Sequence, residues 1–310
     1  MRILITGGFG YLGGRIAQSL EKEGHQVVLS SREENLSPNW LKKAEVFKLD
    51  WSNKDILQSS CENVDLVIHA AGMNAQDCAR NPVEAIQFNG AATERLVQAS
   101  ISANVNKFIY LSTAHVYQSP LVGKITEKTN LENQHPYATS HAAGEDAVLS
   151  QSSENNFTGI VLRLSNGVGA PTHKQANCWM LAVNDFCRQV IENGRITINS
   201  NREIERDFFP ISLLCDTIKS IIKYDKNDIN IMNVSSSQAI TLDEVAKLIK
   251  ERSKVILNLN PQILYKDRKK IQNKSNYCIS NNKLKNILSP EISLKNEIDL
   301  LLINCKKWFG

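Results

Sequence analysis

Along the first two-thirds of the chain, short runs rich in Val, Ile and Leu alternate with longer stretches in which apolar residues recur every three or four positions. The short runs at 2–6, 26–30, 45–49, 65–69, 107–111 and 159–163 read as β-strands. The longer stretches at 11–23, 53–60, 83–103 and 137–150 read as helices. Parallel strands joined through helices need right-handed crossovers, which cover both faces of the sheet. The pattern therefore predicts an α/β fold, a doubly wound parallel sheet.

After Arg163 the pattern loosens. Helical spacing returns at 177–192, 241–252 and 294–308, with short β-like pieces at 195–198 and 231–234. No linker or repeat separates the two regions. The expected organisation is a sheet domain over residues 1–165 and a smaller lobe over 166–310, partly interleaved with it and closing a cleft at the sheet's carboxyl edge.

Composition narrows the function classes. The chain has 310 residues, 42% hydrophobic and 22% charged, enough apolar content for a large core and too much for a disordered chain. No apolar run approaches the roughly 20 residues that span a bilayer, and residues 1–7 read as a strand, not as a secretion signal. The seven cysteines are odd in number, scattered and without a C-x-x-C pair, and the six histidines lack metal-ligand spacing. These features predict packed free thiols, no metal and a reducing, cytoplasmic setting without a membrane partner. Net charge is +4, and residues 241–310 carry 14 Lys/Arg against 7 Asp/Glu. Such a stretch suits either an anionic ligand or a solvated surface, and by itself does not predict a nucleic-acid partner.

The first chemical signal is Thr6-Gly7-Gly8-Phe9-Gly10-Tyr11-Leu12-Gly13, set between a strand and a helix. Glycines at 7, 10 and 13 allow a tight turn and close backbone approach to a pyrophosphate, and the N–H groups at the helix start (Tyr11, Leu12) bind its oxygens. The second strand should end beside the adenosine ribose. NAD sites place a carboxylate there; here Ser31 and Arg32 precede the first acidic residue, Glu33. Arg32 suits a 2′-phosphate or adenine stacking, or is a plain surface residue, and the balance favours NADP(H) over NAD(H).

Further marks follow in order: Asp50-Trp51, His69-Ala70-Ala71-Gly72, Pro82 to Asn89-Gly90, Leu111-Ser112-Thr113-Ala114-His115-Val116-Tyr117, Pro136-Tyr137-Ala138-Thr139-Ser140, Glu145, Arg163-Leu164-Ser165-Asn166 and Arg206-Asp207-Phe208. With the glycine loop, they make residues 1 to about 216 resemble the extended short-chain dehydrogenase/reductases, specifically the nucleotide-sugar epimerase, dehydratase and reductase group. The resemblance implies a Rossmann-type sheet that binds NAD(P) through Gly7, Gly10, Tyr11, Leu12, Ser31, Arg32, Asp50, Trp51, Ala70, Ala71, Tyr137 and His141. It implies hydride transfer at a ring carbinol or keto carbon of a nucleotide-linked sugar. Thr113 would hydrogen-bond the reacting oxygen and Tyr137 would exchange a proton with it. A homodimer is the expected assembly.

One position departs from the family. A lysine normally stands four residues after the tyrosine, where its charge lowers the tyrosine pKa and its ammonium binds the nicotinamide ribose. Here that residue is His141. A residue four positions on shares the same helix face, but imidazole is shorter and largely neutral at pH 7. Tyr137 would then stay nearer its ordinary pKa, which favours proton donation to a carbonyl over proton abstraction from an alcohol. Three readings remain open: His141 substitutes for the lysine, the acid/base role has moved elsewhere, or the chain is a catalytically weak or inactive dinucleotide-binding sensor or scaffold. His115 is either a second proton-transfer group or a structural histidine.

On the substrate side, the resemblance places Arg206 at the diphosphate of the sugar nucleotide, where an arginine fork suits phosphate oxygens. Asn166 and Arg268 are weaker candidates for the same group, each with a structural role as its alternative. Ala114-His115 stand where a dehydratase commonly carries an Asp-Glu pair, which disfavours dehydration. The subtypes left open are keto-sugar reductase, C4 dehydrogenase and epimerase.

Overall fold

A computed structural model describes residues 1–33, 36–152, 157–224, 229–266, 277–289 and 292–310. The chain begins with β1 (Arg2–Thr6), α1 (Tyr11–Lys22), β2 (Gln26–Ser31), β3 (Glu45–Lys48), α2 (Lys54–Ser60) and β4 (Leu66–His69). A helical run follows, of α3 (Ala75–Arg80), α4 (Pro82–Ala85), a π-helical segment (Ile86–Ala92) and α5 (Thr93–Ser102). Next come β5 (Lys107–Thr113), β6 (Gly123–Ile125), α6 (Pro136–Leu149), β7 (Thr158–Leu164) and β8 (Asn166–Val168). The remainder holds α7 (Ala182–Asn193), β9 (Arg195–Ile198), β10 (Glu205–Pro210), α8 (Ile211–Lys223), β11 (Ile231–Val234), β12 (Ala239–Thr241) and α9 (Leu242–Leu257). It closes with β13 (Gln262–Tyr265), β14 (Tyr277–Ile279), α10 (Asn282–Lys285) and α11 (Leu294–Phe309).

Seven strands form one sheet in the order β11-β7-β5-β4-β1-β2-β3, every neighbouring pair parallel. The uniformly apolar strands follow from coverage of both faces. In β1, Ile3 and Ile5 enter the core on one side and Leu4 the core on the other. Tyr110 of β5 joins the Leu4 side, while Ile109 and Leu111 join the opposite one. Each such fully buried aliphatic side chain contributes about 2 kcal/mol of transfer free energy.

A second core joins Phe186 and Val190 of α7, Val245 and Ile249 of α9, and Ile298 and Leu301 of α11. Half-buried Arg15 of α1 pairs bidentately with Glu297 of α11 at 2.8 and 2.9 Å, and Glu297 also accepts the Ser212 N–H at 2.9 Å. These bonds tie α11 to α1 and to the first turn of α8.

Several elements differ from the sequence reading. Residues 231–234 are not part of the smaller lobe's own structure: β11 lies parallel to β7 as the outermost strand of the main sheet. The apolar periodicity over Ile211–Lys223 forms α8, directly after β10 with Pro210 as its N-cap, and the sequence reading contained no element there. The helix expected from 177 begins at Ala182, because the Trp179 indole N–H is drawn to the Lys174 carbonyl at 2.8 Å and holds a turn. The helix expected over 83–103 is broken by the π segment, where a Cβ on Gly90 would stand 3.1 Å from Ala143 Cβ. The missing side chain lets this segment press against α6. All seven cysteines are unpaired and six are buried. Among the described residues no helix is long and apolar enough to cross a membrane.

Candidate active site

The order of the strands reverses between β1 and β4, and ligands of such sheets collect outside the carboxyl ends of the strands at that point. The glycine loop leaves β1 there. Gly7 has φ +66°, a conformation that disfavours any side chain, and its carbonyl accepts the Gly10 N–H at 2.8 Å. A Cβ on Gly7 would lie 2.7 Å from the Ala70 carbonyl and the Ala71 nitrogen, so the loop can pack on the end of β4 only as glycine. Gly10 caps α1 without a side-chain bond, and the first turn contains no acidic residue. The N–H groups of Tyr11 and Leu12 therefore face the loop without a carboxylate competing for them, which fits a pyrophosphate. The Tyr11 side chain serves the fold instead, with its hydroxyl 3.0 Å from the Gly169 carbonyl and 3.2 Å from Asn184 Oδ1.

The other expected cofactor residues line the same edge. Ser31 ends β2, its Oγ accepting the Glu33 N–H at 3.2 Å, and Arg32 beside it is exposed. Asp50 accepts the Ser52 hydroxyl at 2.7 Å and its N–H at 2.9 Å, which holds the carboxyl below its usual range. Trp51 packs edge-on against Phe88 and tilts on His69. After β4, the Ala70 and Ala71 N–H groups are tied to the Thr6 carbonyl and hydroxyl.

Thr113, Tyr137 and His141 come together at the end of β5. Thr113 is buried, and its Oγ1 accepts the His115 N–H at 3.1 Å. Tyr137 sits in the first turn of α6, whose N-cap His135 accepts the Tyr137 N–H on Nδ1 at 3.2 Å. Burial raises the phenol pKa, and the Thr113 side chain facing it pulls in the opposite direction. One turn on, His141 presents its ring edge-to-face to Tyr137, with centroids 4.6 Å apart. Burial lowers the His141 pKa to about 4, with a smaller contribution from His115, so the imidazole is neutral at pH 7. His115 is exposed, its ring 6.4 Å from that of Tyr137, and the surrounding walls and the Arg206 charge favour its neutral form.

Of the substrate-side candidates, Arg206 lies on β10, and its side chain forms no hydrogen bond or ion pair with another described residue. Asn166 on adjacent β8 donates its Nδ2 to the Asp207 carbonyl at 2.8 Å, so half of its amide is used to hold β10. Arg268 lies outside the described residues.

The site also contains a polar layer that the sequence reading missed. Asn89, in the π segment, accepts the Met73 N–H at 2.9 Å and donates to Ser140 Oγ at 3.0 Å, clamping α6 beside the cleft. Below it lies a buried set of Thr6, His69, Thr93 and Tyr110, the last 2.9 Å from His141 Nδ1. The Asn89-Gly90 pair was a visible signal. Tyr110 carried none, because in an apolar strand it reads as core.

The model of the NAD dependent epimerase/dehydratase family matches residues 3–234. A UDP-glucose 4-epimerase of Erwinia amylovora is 33% identical over 183 residues, 55% of this chain and 54% of that protein. The chain thus spans about half the length of that relative. A putative UDP-glucose 4-epimerase of Methanocaldococcus jannaschii is 23% identical over 80% of this chain and 81% of its own. Among solved structures, the UDP-glucose 4-epimerase of Thermotoga maritima with UDP-glucose superposes with a TM-score of 0.81, 20% identity and 99% coverage of both chains. MoeE5 in complex with UDP-glucose and NAD gives 0.82 at 18% identity over 100% of both. The chain belongs to the NAD dependent epimerase/dehydratase family.

Proposed function

We propose that this protein is an NADP(H)-dependent oxidoreductase or epimerase that acts on the carbinol or keto carbon of a nucleotide-linked sugar. The observation that carries the reading is the convergence of Thr113, Tyr137 and His141, with the Arg206 charge acting on neighbouring His115. Relatives named as UDP-glucose 4-epimerases and a solved neighbour bound to UDP-glucose support a nucleoside diphosphate sugar as substrate.

A bound nicotinamide supplies or receives the hydride. The chain's own residues orient the sugar and handle the proton. Thr113 holds the reacting oxygen, and Tyr137 gives its phenolic proton to that oxygen or takes one from it. Burial without a cation at position 141 keeps Tyr137 as phenol, which supports carbonyl reduction as the favoured direction. Arg206 neutralises the diphosphate, with Asn166 beside it and Arg268 as a further candidate. Ser31 and exposed Arg32 support NADP(H), because a neutral hydroxyl and a guanidinium accept a 2′-phosphate that a carboxylate would repel. Exposed Val83 and Ile86, on the helical run packed against α6, support a homodimer. The unpaired thiols support a reducing, cytoplasmic setting.

The test is turnover of uridine and thymidine diphosphate sugars, as alcohols and as keto-sugars, with NADPH and NADH. Conversion of a keto-sugar with NADPH is the expected result. Cofactor binding without conversion of any member would refute the catalytic reading.

A further inference from the structure

A neutral imidazole has one N–H, and the ring edge that carries it decides whether the group can donate to a ligand or only accept. We propose that Tyr110 is a positioning residue: its phenol donates to His141 Nδ1 and fixes the imidazole as the tautomer with its proton on Nε2, the edge turned toward Gly72 and the cofactor cleft. The inference deepens the proposed function, since it explains how histidine can donate to the nicotinamide ribose where relatives carry lysine.

Tyr110 is fully buried on β5, three residues before Thr113, with its Oη 2.9 Å from His141 Nδ1. The space it occupies is made by Gly144 of α6, where a Cβ would lie 2.5 Å from the phenol oxygen. Burial and the Glu145 charge hold the phenol well above its ordinary pKa, so Tyr110 keeps a hydrogen to donate.

The surrounding groups direct that hydrogen. Thr93 donates to the Asn89 carbonyl at 2.7 Å, so His69 meets Thr93 Oγ1 at 2.9 Å with a hydrogen on Nε2. In that neutral ring Nδ1 is bare and accepts the Thr6 hydroxyl at 2.5 Å. Thr93, the other hydroxyl beside Tyr110, thus already receives one hydrogen and has spent its own. His141 Nδ1, at 2.9 Å and a stronger acceptor than a hydroxyl with one lone pair left, takes the Tyr110 hydrogen.

The opposite edge of His141 is placed for a ligand. A Cβ on Gly72 would stand 4.0 Å from Nε2 and 3.8 Å from Cε1, at the end of the segment that carries Ala70 and Ala71. Nε2 makes no hydrogen bond to another described residue. Tyr110, Tyr137, His115 and His69 are the titratable groups around the ring, and none brings a permanent charge.

The test is nitrogen NMR of the full chain with isotopically labelled histidine at neutral pH, the His141 signals being assigned by their loss in His141→Gln. The expected result is the Nε2–H tautomer in the wild-type protein. In Tyr110→Phe, a mixture of tautomers or the Nδ1–H form is expected, with NADPH binding weakened about fivefold to tenfold, the worth of one hydrogen bond. An Nδ1–H form in the wild type would overturn the proposal, even if Tyr110→Phe failed to fold. So would a Tyr110→Phe protein that keeps both its Nε2–H form and its NADPH affinity. The tautomer is read without turnover, so a chain that converts no sugar could still pass this test, and an active one could fail it.

Discussion

Tyr137 and His141 meet edge-to-face with ring centroids 4.6 Å apart, and burial keeps both in their neutral forms at pH 7. The family pattern named from the sequence would put an ammonium where the imidazole stands, so the phenol here lacks a neighbouring positive charge. Alcohol oxidation needs the phenolate and carbonyl reduction needs the phenol, so the two directions should respond oppositely to a charge at position 141.

His141→Lys tests that relation. A nearby ammonium favours phenolate, so the alkaline rise of the oxidation rate should move to lower pH and the reduction rate should lose activity earlier on the alkaline side. Activity near neutrality should be kept or raised. An unchanged pH profile in an active, folded variant would show that residue 141 has no electrostatic hold on Tyr137.

Acid should destabilise the fold through the buried histidines. Burial lowers His141 to about 4 and His69 to about 3, against about 6.5 for the unfolded chain. The unfolded state therefore binds protons first. Stability is complete above about pH 6.5 and is lost as pH falls through the folded values. For His141 the loss amounts to about 3 kcal/mol by pH 4. Denaturant unfolding at pH 7 and near pH 4.5 should show a fall that is about 2–3 kcal/mol smaller in His141→Gln than in the wild type. Equal falls would mean that the imidazole is already solvated or protonated in the fold.

Arg206→Ala should raise KM for the nucleotide sugar about 10–100-fold, the worth of a charge-assisted bond, with kcat changed much less. Loss of kcat at unchanged KM would place Arg206 at the reacting carbon instead of at the diphosphate.

Arg32→Ala should weaken NADPH about tenfold or more while leaving NADH affinity nearly unchanged, because only the former carries the 2′-phosphate. Parallel losses for both cofactors would mean that Arg32 stacks on adenine, and no loss would make it a surface residue.

Much of this site was legible because it is written in local patterns. The glycine loop, Tyr137 with His141 four residues on, and Thr113 at the end of a strand each combine a residue type with a position in an element, and the parallel sheet brings those positions to one edge. What the sequence concealed depends on packing between distant segments. Tyr110 is indistinguishable from a core aromatic until α6 lays His141 and Gly144 against it. The π segment around Asn89 forms where a helix must accommodate α6, a constraint that the helical period of 83–103 does not express. Similarly, β11 reads as an isolated apolar tetrapeptide, and only its pairing with β7 assigns it to the main sheet.

The most direct measurement is single-turnover reduction of keto forms of nucleoside diphosphate sugars by NADPH, followed through the nicotinamide absorbance and the product's mass, in the wild-type protein and in Tyr137→Phe. Reduction of at least one substrate by the wild type is expected, at a rate about 10²–10⁴-fold lower in Tyr137→Phe with NADPH binding retained, the contribution of a positioned general acid. A Tyr137→Phe protein as fast as the wild type, or a wild type that binds NADPH and reduces none of them, would contradict it.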